Sequence, residues 1–253
     1  GGAASINVVA AGAGINTIAT VTSGAASAIT SISATVAGTI PSNGCSAITA
    51  YGVEWSTTNG FPNGSGTAVA SGNLTGINFS SALTGLAPTT TYYYHAYATN
   101  NGGTAYGAQG SFVTATPILS SSTLTGFGNV CINTTAGPNS FTITGTNLTT
   151  ANVTVAALAG FTYSTTAGGT YTTTLSLTQP SGAYSQQIFV RFTPTLVQSY
   201  KGNIAVGGGG GSTVNVAATG AGVNTAPSVT SGAASAITQT TATVAGTIPA
   251  TGC

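Results

Sequence analysis

Residues 209–253 repeat residues 1–45 without a gap at about two positions in three, which gives the chain a tandem period of 253 − 45 = 208 residues. Self-similarity at a fixed spacing constrains architecture more than any local pattern, because it implies an array of like units. A period this long exceeds a solenoid repeat and suits a pair of ordinary domains. The expectation is one period of a longer array plus an overlap. On that reading residues 1–18 are the closing strand of a preceding domain, and residues 227–253 are the first strands of a following one.

The composition narrows the class of protein. Only Glu54, Arg191 and Lys201 are charged among 253 residues, and there is no Asp. Ordinary soluble chains carry roughly a quarter charged residues. Disordered chains depart from the norm towards high charge, whereas this one is 42% hydrophobic, with ten Tyr and eight Phe. It is expected to fold. No apolar run reaches the roughly eighteen residues of a membrane helix, so no membrane span is expected. Without a basic stripe, nucleic acid has no electrostatic footing as a partner.

Short runs alternate apolar residues with Thr, Ser and Asn, and turn signals such as Asn59-Gly60, Pro62-Asn63-Gly64 and Asn101-Gly102-Gly103 separate them. Strands are expected at Ser5–Ala10, Ala34–Ala37, Ala50–Ser56, Thr67–Ala70, Phe79–Leu83, Thr91–Thr99 and Ser111–Ala115. No apolar period of 3.6 persists, so the fold class is all-β, built as tandem β-sandwiches.

The run Leu86-Ala-Pro88-Thr-Thr90-Thr-Tyr92-Tyr-Tyr94-His-Ala96-Tyr-Ala98-Thr-Asn100 resembles fibronectin type III domains. The resemblance implies that residues 19–116 form such a sandwich. It also puts Tyr92 at the tyrosine corner, its phenol closing a turn through a backbone hydrogen bond. Alternation turns Tyr92, Tyr94, Ala96 and Ala98 inward, and Tyr93, His95 and Tyr97 outward. Trp55, with Val53 and Tyr51 on its face, is the expected centre of this core.

Further strands are expected at Ile118–Thr125, Ser140–Gly145, Val153–Ala157, Phe161–Ser164, Thr170–Leu177, Gln187–Thr193, Tyr200–Val206 and Ser212–Ala218. The phrases Phe141-Thr-Ile-Thr-Gly145-Thr-Asn147-Leu148, Ala159-Gly160-Phe161-Thr-Tyr163-Ser164, Ile188-Phe-Val190-Arg191-Phe192 and Tyr200-Lys-Gly202-Asn-Ile204 resemble an immunoglobulin-like repeat of large secreted Bacteroidetes surface proteins. The resemblance implies an Ig-like domain over 117–226, exported to the cell surface. It makes residues 1–18 the end of a preceding Ig-like domain and 227–253 the start of the next fibronectin-like one.

No constellation carries catalysis. His95 is the only histidine and has no metal-ligand spacing to Cys, Asp or a second His; Glu54 is the only carboxylate. Glycoside hydrolysis normally needs two carboxylates, and a serine triad needs an acid, a histidine and an elbow that are not present together. Gly207–Gly211 lacks the Lys and helix of a phosphate loop and reads as a hairpin tip. No enzyme activity, cofactor or metal is expected. Tyr93 and Tyr97 are candidate contacts for a surface polysaccharide, against ordinary cross-strand packing.

Within sandwiches of this kind, Cys131 precedes the first turn of the Ig-like domain and faces the next module, while Cys253 faces back from it. The pairing expected is Cys131 with Cys253, against the alternative of free buried thiols. Cys45 would then pair with the preceding repeat, since Cys45 and Cys131 fall at opposite ends of a two-module rod. One disulfide per period fits an oxidising, extracellular compartment. The function expected is a non-enzymatic structural repeat of an extracellular bacterial fibre or adhesin stalk, with other copies of itself as partners. The alternative is a carbohydrate-binding or spacer module of a secreted multidomain protein.

Overall fold

A computed structural model describes residues 2–3, 15–179, 182–250 and 252–253; the strand expected at Ser5–Ala10 lies outside them. The chain divides into two compact units, 1–115 and 116–253. Every named element among the described residues is a strand.

Unit 1 contains β1 (Thr20–Ser27), β2 (Ser33–Ser42), β3 (Ala50–Ser56), β4 (Thr67–Ala70), β5 (Asn78–Thr84), β6 (Thr91–Asn100), β7 (Gly103–Tyr106) and β8 (Gly110–Val113). One sheet has the order β1-β2-β5; the other runs β4-β3-β6-β7, with β8 also on β6. Between them lie Val36, Val53, Leu83, Tyr92, Ala96, Ala98 and Phe112, all buried. This is the β-sandwich of fibronectin type III-like form that the residues of β6 suggest. Tyr92 closes the corner: its hydroxyl accepts the Ala87 N–H at 2.8 Å. Trp55 is half-buried and packs on this core from its margin, edge-on to Tyr92 at 5.1 Å. Val53 holds the central position instead, because it is short enough to sit wholly between the sheets.

Unit 2 contains β9 (Ile118–Ser121), β10 (Asn129–Cys131), β11 (Ala136–Leu148), β12 (Val153–Val155), β13 (Phe161–Ser164), β14 (Leu175–Leu177), β15 (Gly182–Phe192), β16 (Ser199–Gly208) and β17 (Gly211–Val223). Its sheets have the orders β13-β15-β11-β9 and β10-β17-β16-β12-β14. The strand expected over Ile118–Thr125 ends at Ser121. β9 pairs with β11, and after Ser121 the chain crosses to the opposite sheet, where β10 runs parallel to β17. Gly209 and Gly210 form the turn of the β16–β17 hairpin at φ 60° and 77°. Two successive positive φ values match the right-handed twist of the strands and favour glycine at both places. A further hairpin, β18 (Ser228–Ser231) with β19 (Gly246–Ala250), follows as a two-stranded sheet.

The core of unit 2 is aromatic at one end, where Phe161 and Phe192 stack at 4.9 Å and Tyr200 meets Phe192 edge-on at 5.2 Å. Tyr200 is a second corner that the sequence reading missed: its hydroxyl accepts the N–H groups of Thr195 and Leu196, each at 3.1 Å. Each corner sets its donor five residues before the tyrosine, Ala87 before Tyr92 and Thr195 before Tyr200, with a proline next to the donor, and that was the available signal.

Tyr163 lies in the same core, its hydroxyl buried without a partner in hydrogen-bonding geometry. Burial pushes its phenol up to about 12, and the nearby Leu158 backbone only tempers the effect. An unfolded tyrosine ionises near 10. The folded value is the higher one, so this contribution to stability is complete below pH 10 and is lost as pH rises towards 12. Tyr163→Phe is expected to remove most of the stability loss of unit 2 across that window without weakening it at pH 7. Denaturant titrations of both proteins at pH 7, 10 and 11.5 check this, and identical alkaline losses in the two would refute it.

Candidate functional site

The outer face of the β4-β3-β6-β7 sheet gathers most of the chemistry in unit 1. Strand register sets Glu54 opposite His95 and Tyr97 opposite Gly52 across β3 and β6, with Tyr106 beside Tyr97 on β7. Alternation turns Glu54 and His95 outward, yet both are buried, at 3% and 8% exposure. For His95 that corrects the expectation of an outward, exposed residue. The physical cause is the 57–66 loop, which folds back over the sheet and seats Phe61 on the imidazole at 4.9 Å. Glu54 holds the loop down. Its Oε1 accepts the N–H groups of Gly64 and Gly66, each at 3.0 Å, and its Oε2 accepts Gly64 N–H at 2.9 Å.

His95 Nδ1 lies 2.9 Å from the Gly107 carbonyl, which can only accept, so Nδ1 carries the proton. Nε2 is buried with no partner. Neither ring nitrogen faces a nucleophile. Among the described residues no group of three His, Cys, Asp or Glu side chains comes together as a metal site.

An open groove of about 230 Å³ runs beside this loop, lined by Glu54, Gly64, Gly66, Ala68, Tyr97, Thr99, Thr104 and Tyr106. Tyr97 and Tyr106 meet across it with ring centres 6.4 Å apart. Burial, with the Glu54 carboxylate as a secondary influence, raises both phenols above the ordinary value, so both are neutral donors at pH 7. The structure therefore groups Tyr97 with Tyr106 rather than with Tyr93, which is half-buried and lies outside this lining. The sequence reading missed Tyr106, although it stands three residues past the Asn101-Gly102-Gly103 turn and folds back onto Tyr97.

Cys131 and Cys253 are bonded, with Cα atoms 5.4 Å apart. Cys45 is a free, exposed thiol. The Thr17 hydroxyl, 3.2 Å from its sulfur, holds it below the usual value, with help from the Thr17 backbone. The disulfide spans 122 residues, a separation that alone suggests a large entropic gain. Val223, however, pairs beside Cys131 on β10, so in the folded state only 253 − 223 = 30 residues need closing. The ratio of loop lengths is two doublings, each about 0.6 kcal/mol. Reduction is expected to cost the 117–223 sandwich only ~1 kcal/mol. Denaturant midpoints with and without reductant test this, and a loss of ~4 kcal/mol would show that residues 227–253 brace the sandwich directly.

No known protein family matches the chain, and no curated protein matches it. Among solved structures, the FN1–FN3 domains of chicken CNTN1 align at 15% identity over 88% of this chain and 83% of that one, with a TM-score of 0.29. Among the described residues no helix is long and apolar enough to cross a membrane.

Proposed function

We propose that the chain is a non-enzymatic structural repeat of an exported, extracellular fibre or adhesin stalk of bacterial origin, assembled end to end into a filament. What supports the reading is the chemistry of its sheet edges. The outermost strands of unit 1 are β1, β5, β4, β7 and β8; those of the unit 2 sandwich are β9, β13, β10 and β14. None contains a Lys, Arg, Asp, Glu or Pro. Proteins that live as dispersed monomers guard such edges with those residues, because unpaired backbone groups recruit further strands. Of the three charges, Glu54 is buried and Arg191 lies over the Tyr171 ring at 4.0 Å, leaving little like-charge repulsion between neighbouring copies.

Electron microscopy of the purified full chain over a concentration series tests the proposal. Filaments of uniform width that survive molar salt are expected, since assembly without ion pairs is insensitive to screening. Dispersed particles at every concentration, or filaments dissolved by salt alone, would overturn it.

A second reading, a carbohydrate-binding module, draws on the Tyr97–Tyr106 groove. Paired aromatic faces beside a carboxylate suit a neutral sugar. Glycan-array binding that is lost in Tyr97→Ala and Tyr106→Ala but kept in Tyr93→Ala would favour it.

A further inference from the structure

The β18–β19 hairpin is the sequence repeat of β1–β2, and the two share their local geometry. Thr22 pairs with Thr39 and Ser23 with Gly38; Thr230 pairs with Thr247 and Ser231 with Gly246. Ala28 and Ala236 adopt φ of 46° and 47°. The Thr30 and Ser33 hydroxyls bond at 2.7 Å, as do those of Thr238 and Thr241. What differs is cover. Val36 is 0% exposed and Val244 75%; Val21 is 7% and Val229 67%; Ile40 is 3% and Ile248 63%.

Unit 1 shows what covers such a hairpin. β5 pairs along the free edge of β2 from Ser33 to Thr39. The Phe79 ring seats on Gly38, where a Cβ would come within 2.3 Å of it. Gly246, the copy of Gly38, keeps the same vacancy, its nearest neighbour being the Thr230 carbonyl oxygen at 3.5 Å from a built Cβ. Polar partners are fixed as well. Tyr94 donates its hydroxyl to the Gly24 carbonyl at 2.8 Å, and the Ser23 hydroxyl accepts the Ala96 N–H at 2.9 Å. Gly232 and Ser231 are the corresponding acceptors.

We propose that β18–β19 is a docking surface for a half-sandwich with the sequence of residues 46–115 and no first hairpin of its own, covering it as β5, β6 and β8 cover β1–β2. The occupant follows from continuity with an interface already present in the molecule: a closely similar sequence in the same register is buried once by that set of strands. An isolated two-stranded hairpin with an apolar face is marginal in water, so the surface gains most of its stability from this partner. The proposal rests on the repeat reading but fails separately from it. Absence of filaments leaves the docking surface standing, and an uncovered hairpin leaves filaments standing.

The test is a full chain extended after Cys253 by a second copy of residues 46–115, compared with the unextended chain by amide hydrogen exchange. Protection of Gly246–Ala250 is expected to rise at least ~100-fold in the extended chain, since these amides then open only with the global unfolding of a completed sandwich. Gly246→Ala is expected to reduce that gain, because the incoming phenylalanine ring must shift off the added methyl group, and to change nothing in the unextended chain. No added protection, or an added segment that stays unprotected throughout, overturns the proposal. So does protection that appears in the unextended chain and grows with concentration, which would assign the surface to a second copy. A gain that Gly246→Ala leaves intact also overturns it, because the ring would then sit elsewhere.

Discussion

Replacing Phe192 with alanine is expected to lower the stability of the second sandwich by about 3–5 kcal/mol. The side chain is wholly buried and its ring is packed by Phe161 at 4.9 Å, Tyr200 at 5.2 Å and Phe127 at 5.6 Å. The ring also fills the space above Gly220, where a built Cβ would lie 2.5 Å away. Truncation removes the transfer free energy of a phenyl group and leaves a void whose walls are rings fixed by backbone on both sheets. Collapse is therefore limited, which places the cost towards the upper end. The chain's one tryptophan, Trp55, belongs to unit 1, and Phe192's ring neighbours all belong to unit 2. The two units thus have separate probes. The Trp55 fluorescence transition should stay in place while exchange protection at Ile188 and Val190 falls by about three orders of magnitude or slightly more, the equivalent of about 4–5 kcal/mol. A loss below ~1 kcal/mol would mean the aromatic cluster is loosely packed.

Glu54→Ala is expected to produce the largest effect in unit 1. Its carboxylate takes three contacts from two backbone N–H groups, and hydrogen bonds to a charged acceptor contribute about 1.5–3 kcal/mol each. Some of that returns when the released loop is hydrated, so a net loss of about 2–4 kcal/mol is the expectation. Glu54→Gln should recover less than half, because an amide offers one acceptor oxygen and turns its NH2 towards an N–H donor. The Trp55 transition reports the change directly, since Trp55 adjoins Glu54 on β3. Opening of the loop should also expose His95 and Phe61 and erase the groove beside Tyr97 and Tyr106. An unshifted transition in Glu54→Ala would mean that the 57–66 loop contributes nothing to the fold.

The same pair of residues marks a limit of sequence reading. Period-two alternation assigns Glu54 and His95 to the outer face of β3 and β6, and on that face they lie. It says nothing about what lies over the face. Phe61, an aromatic residue set among Asn59, Gly60, Pro62, Asn63 and Gly64, was the available sign, because a large apolar side chain in a turn-rich loop is stabilised by folding back onto the sheet. Tyr92 is the opposite case. Its Pro88-to-Tyr92 spacing encodes a contact five residues away, from the Ala87 N–H to its hydroxyl, and that local relation was legible without coordinates.

The repeated hairpin separates the two kinds of information within one molecule. Sequence by itself determined that residues 209–253 repeat residues 1–45 and that strand runs through Ala34–Ala37; in the fold both copies then take one antiparallel register, one left-handed alanine and one threonine-to-hydroxyl clasp, covered or not. Those features depend on partners within about twenty residues. Only tertiary structure decided that Val36 is sealed while Val244 faces solvent. Burial of an apolar side chain requires strands from elsewhere in the chain, and in unit 1 these are β5, β6 and β8, with the β6 contacts to β1 spanning 70 and 73 residues. Hydrogen bonds between neighbours in sequence can shape a hairpin, but the removal of apolar surface from water takes a second sheet.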